Sequence, residues 1–183
     1  MARNPVNVHI YLYRINNNEF EYSIFQRADN LKWWQGISGG VEEGETILQA
    51  ALRESFEEAG TPINAPIYPL DTVSYLPADI FTAHTLWGKD IVVCPMFFYA
   101  IPFNGDILLS DEHKEVRWLK YDEAENLVYF HDQKTALWEL NQRLLRGNLV
   151  RDENKSFKGL EALGVSSTDF WNNDIDDEVW NDV

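Results

Sequence analysis

Glu54, Glu57 and Glu58 stand three and four residues apart in a stretch of helical periodicity, so they share one face of a helix. Like charges at that spacing repel by about 0.2–0.5 kcal/mol per pair. Glu57 and Glu58 also lie toward the helix C-terminus, where the dipole prefers cations. A local rule broken without visible compensation points to a site. The compensation that fits is a hard divalent cation, which takes carboxylate oxygens and removes the repulsion. A solvated acidic face in an acidic chain is the plain alternative, and these three residues alone leave it open.

The helix that carries them has clear ends. Thr46 followed by Gln49 has the form of a capping box, in which each side chain satisfies a free backbone donor of the first turn. Gly60 falls where a left-handed C-terminal cap belongs. Between them Leu48, Ala51, Leu52, Phe56 and Ala59 recur at helical spacing, which predicts one buried stripe with the acidic face roughly opposite.

The wider pattern is more specific. Gly39, five residues, Glu45, seven residues, Arg53-Glu54, two residues, Glu57-Glu58, one residue and Gly60 resembles the Nudix box of the Nudix hydrolases. Every fixed position of that signature is present. Ser55 and Thr61 depart from it, standing where the family usually has aliphatic residues, a matter of packing rather than chemistry. The box spans residues 39–61, and the likeness in order and spacing of elements extends over residues 1–147.

The resemblance implies an α/β/α sandwich with a mixed β-sheet and a loop-helix-loop catalytic motif. It implies Glu57 and Glu58 as the main ligands of magnesium, with manganese an alternative ion. Glu54 would be a further ligand or the base that deprotonates water, and the Gly39 carbonyl would complete the shell. Glu45 would pair with Arg53 and hold the loop against the helix. Glu112, before a tryptophan-containing strand, is similar to a distal acid that reaches the metal in this family, while a solvated turn acid is the alternative. His113 beside it reads as a surface or capping residue.

Substrate contacts follow the same resemblance. Arg27 closes a strand where several Nudix families place a basic residue against phosphates, and a surface ion pair is its alternative role. Trp34 and Gln35 lead into the glycines, and two adjacent tryptophans, Trp33 and Trp34, cannot both face one core in an extended segment. Ile37 stands where diadenosine polyphosphate and RNA-end hydrolases commonly carry proline. That resembles the dihydroneopterin triphosphate and dATP pyrophosphohydrolase group. Phe81, His84 and Trp87 lie on a loop that could stack and hydrogen-bond a flat heterocycle. The implied activity is magnesium-dependent release of pyrophosphate from a nucleoside or pterin triphosphate. Hydrolysis of a dinucleotide polyphosphate or nucleotide sugar, and ligand sensing without catalysis, are the alternatives, and the intact glutamates speak against the last.

Composition bounds the rest. A chain of 183 residues, 45% hydrophobic, suits one domain with an appendage. A net charge of −15 argues against nucleic acid or an anionic membrane as surface partner, since both need a basic footprint. It does not exclude a nucleotide substrate, because a bound metal neutralises phosphates locally. Cys94 is the single cysteine, so no disulfide framework exists. The N-terminus begins no secretory signal, and the longest apolar run is too short to span a bilayer, which together predict a cytoplasmic protein.

Along the chain, Val8, Ile10 and Leu12 alternate with Asn7, His9 and Tyr11, which predicts a half-buried strand. The three asparagines 16–18 predict a turn into a second strand ending at Arg27. Later come an irregular strand with Pro69, an apolar strand in which Pro95 demands an edge or a bulge, a short strand at 116–119 and a helix at 131–146. Residues 148–183 carry nine acidic against three basic residues, yet keep Phe157, Phe170, Trp171 and Trp180. That is too apolar for a plain disordered tail. They are expected to form an extension that docks on its own domain or on a second subunit in a homodimer.

Overall fold

The computed structural model describes residues 3–150, so the expectations for the extension fall, beyond residue 150, outside the described residues. The sheet is organised on β1 (Arg3–Asn16), a strand of 14 residues. One edge of β1 is shared: its first half pairs antiparallel with β4 (Ile37–Glu42), and its second half pairs antiparallel with β2 (Glu19–Arg27). The other edge pairs parallel with β6 (Val93–Pro102). Asn17 and Asn18 adopt positive φ of 50° and 62°, the geometry a tight β1–β2 hairpin requires.

β3 (Trp34–Gln35) and β7 (His113–Leu119) pair with β2, and β5 (Tyr68–Pro77) pairs with β6 as an edge strand. Pro69 therefore sits on an edge, next to a register shift. Pro95 faces Tyr75 of β5, one residue before β6 begins to pair with β1, so its missing N–H costs no ladder bond on that side. Helix α1 (Ile47–Ala59) covers one face of the sheet, while α2 (Tyr121–Leu127) and α3 (His131–Leu145) cover the other. This is the expected α/β/α sandwich with a mixed sheet. Among the described residues no helix is long and apolar enough to cross a membrane.

Two expectations fail, the first because helices pack on both faces of the sheet. β1 is not half-buried. Residues 7–13 are all buried, with Val8, Ile10 and Leu12 in the core under α1 and Tyr11 and Tyr13 in the core under α3. Tyr11 and Tyr22 donate their hydroxyls to the Gln133 carbonyl and to Asn141 Oδ1, both at 2.9 Å, and so tie α3 to the sheet.

The buried face of α1 is also different. Thr46 and Gln49 form the capping box, and Gly60 caps the end with φ 71°. Yet Leu48 and Phe56 are exposed, and the buried residues are Ala50, Ala51, Glu54, Ser55, Glu58 and Ala59. Helix and sheet approach through small side chains, and two of the three carboxylates lie on that inner face rather than opposite it. The two departures from the family pattern meet here. Ser55 and Thr61 are both fully buried; Thr61 donates to Ser55 Oγ at 2.9 Å, and Ser55 donates to the Leu52 carbonyl at 2.9 Å.

That hydroxyl pair generates a test. Ser55→Ala strands the Thr61 hydroxyl without its acceptor and is expected to cost about 1–3 kcal/mol, while Thr61→Val costs about 0.5–1.5 kcal/mol. The double variant should cost less than the sum, because neither partner is then orphaned. Urea unfolding of the four proteins reads the cycle, and simple additivity would mean that the two hydroxyls act independently.

Candidate active site

The site grows from the turn between β4 and α1. Gly44, at φ 86°, turns the chain back, so that Glu45 accepts the Glu42 N–H at 2.9 Å. Arg53, two turns into α1, then binds the Glu45 carboxylate with Nε at 2.6 Å and Nη2 at 3.0 Å, the two-point geometry that suits a guanidinium. Nη2 also donates to the Gly40 carbonyl at 2.9 Å, while Nη1 donates to Glu54 at 2.8 Å and to Glu57 at 3.2 Å. The expected Glu45–Arg53 clamp is present, and it extends to both neighbouring glutamates.

Gly39 lies directly under Glu54. A Cβ built at Gly39 would fall 1.9 Å from Glu54 Cδ, so only glycine leaves room for that carboxylate. Burial pushes the Glu54 carboxyl up to about 7; Arg53 opposes the shift and Glu58 adds to it. Burial likewise raises Glu58, against a bond from His113. Glu57 differs from both, with a side chain 54% exposed.

His113 overturns its sequence reading. It is no surface or capping residue: its side chain is 1% exposed and its Nε2 lies 2.5 Å from Glu58 Oε2. Its Nδ1 has no hydrogen-bond partner among the described residues. Strand β7 delivers it, through pairing with β2 at Arg27, and the Phe25 ring packs against it at 4.9 Å. The only sequence signal was its place beside Glu112, and nothing local announced that β7 would cross the end of α1.

The remaining sequence-predicted residues divide. Glu112 is exposed, accepts the Ala28 N–H at its backbone oxygen, and stands close enough for its charge to act on Glu58 and Arg27. Arg27 is near the same carboxylates but is engaged by Asp29 through bonds of 2.7 and 2.6 Å. Trp34 and Gln35 are buried, and the Arg117 guanidinium lies 4.5 Å over the Trp34 ring. A ring so covered has little surface left for stacking, and it is Trp33 that stays partly exposed, edge-on to Phe130 and near Tyr129. His84 is exposed in a 3-10 turn (Thr82–Leu86), where its Nδ1 lies 2.7 Å from the Phe81 carbonyl.

Metal fit is a question of donor chemistry. Among the described residues no three carboxylate or imidazole side chains converge closely enough to form a shell as they stand, since Arg53 and His113 hold them. The set is nevertheless hard oxygen, and two of its members are buried with raised carboxyl values, so negative charge there is under-compensated. That combination suits magnesium or manganese rather than zinc.

Comparison with known proteins agrees with this geometry. The NUDIX domain model matches residues 4–139. The dihydroneopterin triphosphate diphosphatase of Escherichia coli K12 is 39% identical over 139 residues, covering 74% of this chain and 91% of its own. The asymmetrical bis(5'-nucleosyl)-tetraphosphatase of Sus scrofa is 31% identical over 131 residues, covering 72% and 85%. A Listeria monocytogenes crystal structure assigned as a NUDIX hydrolase superposes with a TM-score of 0.71 at 31% identity, covering 79% of this chain and 97% of that one. Fold and site thus define a hydrolase of acid anhydrides, a pyrophosphohydrolase acting on diphosphate linkages. The chain belongs to the NUDIX family. Hydrolases of this family generally use divalent metal ions such as Mg2+.

The raised Glu54 carboxyl has a consequence for the protein in chelator. The folded state holds that proton more tightly than the ordinary value of 4.5, so the stability it lends is complete below pH 4.5 and is lost as pH climbs to about 7. Glu54→Gln should flatten that fall, and magnesium should raise the melting temperature more at pH 8 than at pH 5, because ligands must be deprotonated to bind. Thermal melts across pH, with and without magnesium, read both. Parallel wild-type and variant curves would contradict the first expectation.

Proposed function

We propose that this protein hydrolyses a nucleoside or pterin triphosphate to the monophosphate and pyrophosphate, with magnesium held mainly by Glu57 and Glu58, and with Glu54 as a further ligand or as the base. Gly39 would contribute its carbonyl and Glu112 would approach from the β7 side. The observation that carries the reading is the inner face of α1, where Glu54 and Glu58 are buried together beside a glycine too crowded for any side chain. The bound ion would neutralise phosphate oxygens and stabilise charge on the departing pyrophosphate.

The chain's own residues do the rest. A water oxygen bonds to phosphorus, the bridging P–O bond breaks, and the water proton needs an acceptor. In its role as base, Glu54, which Arg53 orients at 2.8 Å, would take that proton; burial raises its carboxyl to about 7 in the metal-free protein. Arg53 keeps Glu54 and Glu57 oriented, and His113 fixes the oxygen of Glu58 that it binds. Arg27 lies within electrostatic reach of Glu58 and is placed to release Asp29 for a phosphate. The partly exposed Trp33, whose carbonyl accepts the Arg27 N–H at 3.0 Å, offers a flat surface near that phosphate end.

Ile37 and the likeness to the Escherichia coli dihydroneopterin triphosphate diphosphatase support the triphosphate. The likeness to the asymmetrical tetraphosphatases favours a second reading, a dinucleotide polyphosphate cleaved in the same metal site. Small nucleotide or pterin phosphates are the partner class in either case, in a cytoplasmic setting.

Two measurements test this. In a screen of about twenty nucleotide and pterin phosphates, a purine deoxynucleoside triphosphate or dihydroneopterin triphosphate should lead, with pyrophosphate as first product. Inorganic phosphate as first product, or a dinucleotide as best substrate, would overturn the assignment. Glu57→Gln should lose nearly all turnover with its melting temperature kept, since Glu57 is largely exposed. Glu112→Ala should lose at least tenfold, a loss of about 1.4 kcal/mol in barrier stabilisation. Full wild-type turnover in excess chelator would remove the metal from the mechanism.

A further inference from the structure

Arginines near the carboxylate site are mostly occupied. Arg53 is engaged by Glu45, Glu54, Glu57 and the Gly40 carbonyl, and Arg27 by Asp29. Arg3 is different. It opens β1 opposite Glu42, is exposed, and lays its side chain across Gly40, where an added Cβ would lie 3.1 Å from Arg3 Cδ and 3.5 Å from Nε. Gly40 is the residue whose carbonyl Arg53 holds, so Arg3 stands over the same strand end. Its charge reaches Glu54, which it helps to keep ionised. Among the described residues no carboxylate forms an ion pair with it.

The backbone that carries Arg3 is held from two sides. Asn4 Nδ2 donates to the Glu42 carbonyl at 3.2 Å, and Trp87 Nε1 donates to the Arg3 carbonyl at 2.5 Å. Trp87 packs on Phe81 with ring centroids 5.8 Å apart, so an aromatic pair from the loop between β5 and β6 is fastened to the start of β1. An unpaired guanidinium with planar, two-point donor geometry is a phosphate group's best protein partner. In a chain of net charge −15, leaving one exposed beside a carboxylate site calls for an anion from outside.

We propose that Arg3 is a substrate-binding residue whose guanidinium takes a phosphate that is not attacked, and that Trp87 positions the backbone from which it reaches. This rests on the phosphohydrolase reading above and adds the element that orients the polyphosphate chain. The site would then be closed on one side by β7 and on the other by the start of β1.

Arg3→Ala, Arg3→Lys and Trp87→Phe, with Arg146→Ala as a surface-charge control, are assayed on whichever substrate leads the screen. Binding of its α,β-methylene analogue is measured alongside. Arg3→Ala should raise KM and the analogue Kd at least tenfold, with kcat within threefold and the melting temperature unchanged. Arg3→Lys should recover part of the loss, and Trp87→Phe, which lacks the indole N–H, should weaken binding severalfold in the same direction. Unchanged KM and Kd for Arg3→Ala, or a loss equalled by Arg146→Ala, would overturn the proposal. A tenfold loss measured on a dinucleotide as best substrate would sustain Arg3 while overturning the triphosphate assignment.

Discussion

One guanidinium holds the catalytic turn together. Arg53 spreads its donors over the Glu45 carboxylate, the Gly40 carbonyl, Glu54 and Glu57, so the end of β4, the loop and two turns of α1 meet at a single planar group. Carboxylates taken out of water cost several kcal/mol each unless a partner or a metal answers them. Arg53 answers them only in part, since Glu54 still stays well above the ordinary carboxyl range. A lysine would supply one compact charge without the fork, and could not bind Glu45 at two points while reaching Gly40 and Glu54. The residual negative charge is what fits the site to the proposed divalent cation.

The same constraint shapes the helix–sheet contact. For Glu54 to lie on Gly39, α1 must approach β4 closely, and at that separation the inner face admits only Ala50, Ala51, Ser55 and Ala59 around the acids. Larger apolar residues are displaced to the flank, which is why Leu48 and Phe56 are exposed. Ser55 and Thr61 fit this economy of space: two small hydroxyl side chains satisfy one another where two aliphatic ones stand in the family pattern. Helix burial is kept by a hydrogen bond in place of methyl groups.

What was legible in the sequence was local. The Thr46–Gln49 box, the Gly60 cap, the asparagine turn and the Glu45–Arg53 pair each depend on residues within a few positions of one another, or on spacing that the family signature encodes. What was not legible depends on neighbours far along the chain. The inner face of α1 was misplaced because hydrophobic periodicity weighs large residues and passes over alanine. β1 looked half-buried because Asn7, His9 and Tyr11 are polar by type, while the structure buries all three: Tyr11 against α3, His9 beside the Tyr11 and Phe98 rings, and Asn7 at Cys94. His113 was missed because its partner Glu58 lies 55 positions away, and Trp34 was placed at the substrate because burial under Arg117 has no sequence mark.

Chemistry and selectivity therefore have different structural sources. The carboxylates, their guanidinium and the crowded glycine all come from one loop and one helix, and they are fixed by short-range geometry. The groups that could distinguish one phosphate ester from another come from the start of β1, the Phe81–Trp87 pair, Trp33 and the β7 end, which only the sheet order brings to the same side of the molecule. Those segments can change length and residue type without disturbing the Arg53 network, because none of them contributes a bond to it. On the proposed reading, a box intact at every fixed position carries cleavage at phosphorus and leaves the choice of heterocycle to residues outside it. The chain resembles relatives named for different substrates, a tetraphosphatase and a dihydroneopterin triphosphate diphosphatase, so on that reading substrate identity has to be sought in the flanking elements.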